Sequence, residues 1–202
     1  MQRMVWEGIA RFWNKRRQKP WPDVVDFSKD RKFLLDLGCG SGRNFLKGKK
    51  YIGIDSSKEM LRLAKHNVKK KGSKVHLIRA DLSNLPLKDN VLENVLLVAS
   101  LHVLVGDKKR RKCLSEMKRV VKKDGHAFVT VWNKNQPRFA SKKKVVFVPW
   151  KVGNKKYMRY YYLFTKNELK NLLAEYFEIE YIETKKIEKP FGENIIAVVK
   201  KL

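Results

Sequence analysis

Three carboxylates and a run of glycines in the first half of the chain are spaced for chemistry on a nucleoside. Asp36-Leu37-Gly38-Cys39-Gly40-Ser41-Gly42 follows directly on an apolar run that begins at Phe33. A loop this rich in glycine lets the backbone pass close to a ligand with no Cβ in the way. Asp55 ends the next apolar run, 51–55. A carboxylate there can accept both hydroxyls of a ribose. Asp81-Leu82 follows a third run, 75–80, where a carboxylate can take an adenine amino group.

The same geometry serves nicotinamide dinucleotides, but three features point elsewhere, one of them the Asp81-Leu82 pair after the third run. The spacing G-x-G-x-x-G is absent, because Arg43 and Asn44 follow Gly42. Asp36 lies inside the motif, where it can hold the ammonium of a methionine moiety. A turn that merely packs tightly needs no such ordered set of carboxylates. The expected cofactor is therefore S-adenosylmethionine (SAM). Its expected contacts are Asp36, Gly38, Cys39, Gly40, Gly42, Asp55, Ser56, Asp81, Leu82 and Ser100.

The elements that must position these groups alternate. Apolar runs at 33–37, 51–55, 75–80, 91–99 and 125–132 read as strands. Residues 57–71 read as a helix, capped by Ser56 or Ser57 and ended by Gly72. A second helix spans 108–122. Before the sheet, 6–13 has helical spacing, Pro20-Trp21-Pro22 turns the chain, and 23–27 is a short helix. After it, a basic segment with Pro137 and Pro149 reads as an insertion, 133–164. Thr165 caps a helix over 165–176, with Glu168 completing a capping box. Two last strands follow at 179–187 and 194–199, the final one antiparallel. The expectation is one α/β domain over 1–202. It is a Rossmann-like, mostly parallel seven-stranded sheet with helices on both faces. Segments 1–30 and 133–164 are then left to serve the substrate.

Charge narrows the partner. The chain has 202 residues, with 47 Lys and Arg against 20 Asp and Glu, a net charge of +27. Such an excess suits a polyanion. A Lys-rich thermophile surface would raise Glu as well, and here Glu has not kept pace. No apolar run approaches the roughly 20 residues of a membrane span, and the N-terminus lacks a secretory pattern. A cytoplasmic location is expected. Cys39 and Cys113 are expected to be free thiols.

Chemistry narrows the acceptor. Methylating a pyrimidine carbon needs a nucleophilic Cys, and neither cysteine is well placed. Methylating an exocyclic amine usually comes with an Asn/Asp-Pro-Pro-aromatic motif after the fourth strand, where this chain reads Ala99-Ser100-Leu101-His102. A carboxylate is already ionised at pH 7, so it needs only positioning and a cationic clamp.

With these motifs in place, residues 30–135 resemble the class I SAM-dependent methyltransferases. The flanks resemble a narrower family. Arg17-Gln18-Lys19-Pro20-Trp21-Pro22 followed by Phe27, then Val148-Pro149-Trp150, then Arg159-Tyr160-Tyr161-Tyr162-Leu163-Phe164 and Glu168-Leu169, are similar to the tRNA (carboxymethyluridine(34)-5-O)-methyltransferases. That resemblance implies methyl transfer to the carboxylate of 5-carboxymethyluridine at the wobble position of tRNA. It implies catalytic roles for Arg159, His102 and Tyr160. Arg17, Lys19, Trp21, Arg138, Trp150 and Tyr161 would bind substrate and tRNA, through two-oxygen contacts and base stacking. It also implies a small zinc-binding activator protein, paired beside strands three and four as a heterodimer, with the apolar run 91–104 including an edge. The zinc would be the activator's own. Two departures stand out: Tyr162 replaces the family's usual His, and a usual histidine pair is reduced to His102 with Val103. The competing readings are a methyltransferase of a small metabolite and an inert tRNA-binding homologue. Salt-dependent tRNA affinity separates the first of these from a tRNA protein, and SAM binding separates the second from an enzyme.

Overall fold

A computed structural model describes residues 2–139, 141–187 and 192–202. The chain opens with two helices, α1 (Gln2–Arg16) and α2 (Pro22–Ser28). Then come β1 (Phe33–Leu37), β2 (Lys50–Asp55), α3 (Lys58–Lys71), β3 (Lys74–Arg79), β4 (Leu92–Val98), α4 (Asp107–Val120) and β5 (Val121–Trp132). A hairpin of β6 (Val145–Val152) and β7 (Lys155–Tyr162) precedes α5 (Lys166–Ala174), β8 (Glu178–Ile187) and β9 (Gly192–Lys200).

Seven strands form one sheet in the order β3-β2-β1-β4-β5-β9-β8. All pairings among β1 to β5 are parallel, and β9 runs antiparallel to both β5 and β8. The expected sheet, with its one antiparallel strand, is therefore present. The two-residue period of the strands splits the core into two layers. Leu35, Leu37, Val95, Leu97, Val129 and Val131 face α4 and α5. Leu34, Leu96, Phe128 and Ile196 face α2 and α3. Helices thus cover both faces.

Four sequence expectations need correction. Strand and helix do not alternate throughout: among the described residues, neither the β1–β2 crossover nor the β3–β4 crossover carries a helix. The first crossover contains Gly38, Gly40, Gly42 and Gly48, all at positive φ, which no α-helix accommodates. Its loop carbonyls are instead held by side chains. Lys71 Nζ donates to Gly42 O and Arg43 O at 3.0 and 2.6 Å, and the Asn67 amide donates to Ser41 O at 2.8 Å. Second, 91–104 includes no sheet edge, because β4 lies between β1 and β5 and the edges are β3 and β8. Third, the insertion 133–164 contains the β6–β7 hairpin, a sheet of its own. Fourth, only half of the capping box forms. Thr165 Oγ1 accepts from Glu168 N–H at 3.3 Å, while the Glu168 carboxylate takes the Tyr162 hydroxyl and Lys144.

Helix α1 joins the halves that matter for function. The Glu7 carboxylate accepts from the N–H groups of Lys58 and Glu59 at 2.7 and 2.8 Å. It thereby satisfies donors that the first turn of α3 leaves open. At its start, the Gln2 side chain bonds Met158 O and Tyr160 N–H of β7. Near its end, Trp13 meets Trp150 of β6. No helix among the described residues is long and apolar enough to cross a membrane.

Candidate active site

The carboxyl ends of β1, β2 and β4 open into a cleft of about 1200 Å³, roofed by α1 and closed at one end by the hairpin. This is where ligands bind in open α/β sheets. At the sheet end it is lined by Gly38, Cys39, Gly40, Asp55, Ser56, Asp81, Leu82 and Ser100. Toward the hairpin stand Arg17, Arg138, Trp150 and Arg159, while Trp21 lies against the glycine loop, its N–H near Asn44 and its ring under Arg43. Most of the residues expected from sequence therefore meet in one cavity, but Asp36 is buried and is not among its lining residues.

The sheet end fits a nucleoside carrying an amino acid. Asp36 is 1% exposed, and its Oδ2 has no hydrogen-bond partner among the described residues. Burial, with Asp55 nearby, pushes its carboxyl up to about 7, against the opposing pull of Arg43 and Lys71. A buried anion without a partner calls for a cation, and an ammonium supplies one. Gly40 sits at φ +53°, and a Cβ there would project into open space, nearest Met60 Sδ at 4.0 Å. The backbone is therefore bare where a ligand passes. Asp55 is fixed by Gly40 N–H at 2.9 Å and Ser57 N–H at 2.8 Å. The Ser100 hydroxyl donates toward Val98 O and Gly38 O, and a Cβ on Gly38 would collide with it at 2.2 Å. Ala99, beside it, holds φ at +52°, an uncommon conformation for a side-chain-bearing residue. Thr130 secures that bend by accepting Ala99 N–H at 2.9 Å on Oγ1. The Asp81 carboxylate accepts from Ser83 and from Lys109 Nζ at 2.6 Å. Burial opposes its charge, but these contacts outweigh it and hold its pKa below the ordinary value.

The substrate end is built of arginines on aromatic rings. The Arg159 guanidinium lies 4.8 Å from the Trp150 centroid, 5.6 Å from Trp13 and 5.4 Å from Tyr161. Its Nη1 donates to the Tyr161 hydroxyl at 2.9 Å, while its Nε is buried with no partner among the described residues. Tyr161 is 2% exposed and does not line the cleft; it stacks on Trp132, with ring centroids 4.0 Å apart. Its part is to seat Arg159. Arg138 lies over Trp132 and Phe139. Arg43 lies over Trp21, and burial pushes its guanidinium down to about 9.

Several expected residues stand elsewhere. His102 is 1% exposed, in the short turn Leu101–Val103, and its Nδ1 accepts the Trp132 N–H at 3.0 Å. Burial pushes it down to about 3. The turn folds this ring under the sheet end, where it supports Trp132 and does not reach the cleft. Tyr160 faces the opposite side of β7 from Arg159, as strand alternation requires, and meets Phe147 and Arg110. Neither is placed for the catalytic role expected of it. Lys19 is exposed and outside the cleft lining. Gly42 is required by packing, because a Cβ there would meet the Phe45 ring at 2.5 Å. Cys39 lines the cleft, but its thiol is pushed well up by burial and then by Asp55, and it is no nucleophile. Tyr162, the departure from the family's His, points away from the cleft to Glu168 and lies under Arg110. The substitution leaves the cleft lining untouched. Sequence reasoning missed Trp13, Arg16, Trp132 and Arg43. Trp13 and Arg16 carry a sequence signal, a basic-aromatic helix end.

The histidine assignment is open to a direct test. A group whose folded pKa is depressed stays neutral down to that pKa, so the His102 ring signals should not titrate between about pH 5 and 8 by NMR. A midpoint near 6.5 would place the ring in solvent.

The comparisons agree with this geometry. A methyltransferase domain model matches residues 35–129. The tRNA (carboxymethyluridine(34)-5-O)-methyltransferase of Schizosaccharomyces pombe is 27% identical over 197 residues, covering 84% of each chain. The Arabidopsis thaliana protein of that name is 31% identical over 137 residues, 65% of this chain. The chain spans 32% of the length of that plant relative. A crystal structure of a SAM-dependent methyltransferase from Methanosarcina mazei superposes with a TM-score of 0.75 at 22% identity, covering 91% of this chain and 99% of that one. The chain thus carries a methyltransferase domain on the class I SAM-dependent methyltransferase fold, takes S-adenosylmethionine as cofactor, and resembles the tRNA (carboxymethyluridine(34)-5-O)-methyltransferases.

Proposed function

We propose that the chain methylates the carboxylate of 5-carboxymethyluridine at the wobble position of tRNA. The observation that carries this reading is the Arg159 guanidinium, set against two indoles in the cleft with a buried Nε that has no partner among the described residues. A planar fork held in that way accepts a carboxylate through two oxygens. SAM supplies the methyl group. Asp36, Gly40 and Asp55 hold its methionine and ribose portions, and Arg159 orients the acceptor. The acceptor is an anion at neutral pH, so no general base is needed. That agrees with the lining, in which no histidine appears among the described residues. An unpaired wobble base needs little extrusion energy and can stack on Trp150; Trp21 is buried under Arg43 and offers no open face.

The partner reading continues from the same resemblance. A small zinc-binding activator would pair with an edge of the sheet, and β3 is the edge nearest the cofactor end. The test is transfer from labelled SAM to tRNA bearing 5-carboxymethyluridine, with and without such an activator, followed by nucleoside analysis. Label in the methyl ester of that nucleoside is the expected result. No label with the activator present, despite SAM binding, overturns the substrate assignment.

A further inference from the structure

Two indoles at the hairpin end carry three cations. Trp13 and Trp150 lie with ring centroids 5.5 Å apart. Arg159 lies over both. Arg16 lies 5.1 Å from the Trp150 centroid, and Arg17 lies 5.0 Å from that of Trp13. All five side chains line the cleft. Arg16 and Arg159 share the Trp150 ring, so no more than about 10 Å separates their charges. At that spacing like charges repel. Among the described residues, neither Arg16 nor Arg159 forms a salt bridge with a carboxylate. The cleft's own carboxylates, Asp55 and Asp81, belong to the sheet end. Burial first, and then Arg159 and Arg16, hold Arg17 below its ordinary pKa despite the opposing effect of Tyr161. Such a cluster is stable when a ligand brings more than one negative charge.

A single carboxylate does not supply that. One guanidinium fork satisfies it through two N–H groups, and Arg159 is the buried one. Arg16 ends α1 and Arg17 follows it, each over one of the same two rings. We propose that this end of the cleft holds two anions of one nucleotide: a base-borne carboxylate at Arg159 and a ribose phosphate at Arg16 and Arg17. The inference rests on the carboxylate reading above and adds a phosphate subsite to it. The recognised unit is then a nucleotide, and the free nucleoside is a poor ligand even with its carboxylate in place.

The experiment is calorimetric binding to the full chain saturated with S-adenosylhomocysteine. The probes are 5-carboxymethyluridine, its 5′- and 3′-monophosphates, and the two uridine monophosphates. At least one carboxymethyl nucleotide should bind about tenfold or more tighter than the nucleoside. Arg16→Ala should erase that gain and leave nucleoside binding unchanged. Arg16 is exposed, so the variant keeps its fold. Equal binding of nucleoside and nucleotides overturns the phosphate subsite, as does a gain that survives Arg16→Ala. Uridine monophosphate binding as tightly as its carboxymethyl form, with the gain still lost in Arg16→Ala, supports the phosphate subsite while overturning the carboxylate assignment.

Discussion

Asp36→Asn should weaken S-adenosylmethionine binding about a hundredfold and remove its pH dependence. The side chain is buried and its carboxyl is pushed up to about 7, first by burial and then by Asp55. Arg43 and Lys71 pull the other way without cancelling the effect. The sign follows from linkage. A carboxyl whose folded pKa lies above its unfolded value holds its proton longer in the folded chain. Stability is therefore lost as pH rises from about 4 to about 7, by something on the order of 4 kcal/mol. A ligand ammonium beside Asp36 reverses this by favouring the ionised form. Cofactor affinity should accordingly fall about tenfold per unit as pH drops below about 7, and level off above it. Calorimetry at about pH 6 in two buffers of different ionisation enthalpy should show about one proton released per cofactor bound. The Asn variant should release none. A wild-type dissociation constant that stays flat from about pH 5.5 to 8 would sink the assignment.

That carboxylate was legible because its surroundings are local. An apolar run, an aspartate and spaced glycines lie within one stretch of chain, and β1 begins and ends where the hydrophobic pattern puts it. The caps of α3, Ser57 and Gly72, are equally local. What escaped the sequence was decided across long separations. Whether His102 faces a ligand or the core depends on how the turn after β4 meets Trp132, thirty residues on. Glu168 has the spacing of a capping box, but Tyr162 and Lys144 arrive from the hairpin and take its oxygens. The hairpin was hidden because β6 carries Pro149 and lysines flank both strands. Those residues speak against a central strand and are tolerated in a two-stranded ribbon, where every strand is an edge. Arg43 was counted only as an interruption of a nicotinamide motif. Its place over Trp21 exists only once α2 folds onto the glycine loop.

The hairpin also sets the second large effect. Arg159→Ala should lower kcat/KM for 5-carboxymethyluridine tRNA by about 100- to 1000-fold, the loss expected when a two-oxygen charged contact is removed. Cofactor affinity should not change, because Arg159 belongs to β7, whereas Asp36, Gly40 and Asp55 belong to β1, the loop after it and β2. That split separates loss of the clamp from general damage to the fold, which would affect both. Arg159→Lys should recover little. The guanidinium lies over both Trp13 and Trp150 and donates to Tyr161 through Nη1, leaving Nε for a second acceptor. An ammonium is a point charge that neither forks nor stacks in this way. Tyr161→Phe then separates placement from contact. It removes the 2.9 Å bond that orients the guanidinium but keeps the ring on Trp132. The expected cost is about tenfold, the scale of one buried hydrogen bond. If Arg159→Lys retained full activity, charge alone would suffice and the two-oxygen clamp would be the wrong account of this end of the cleft.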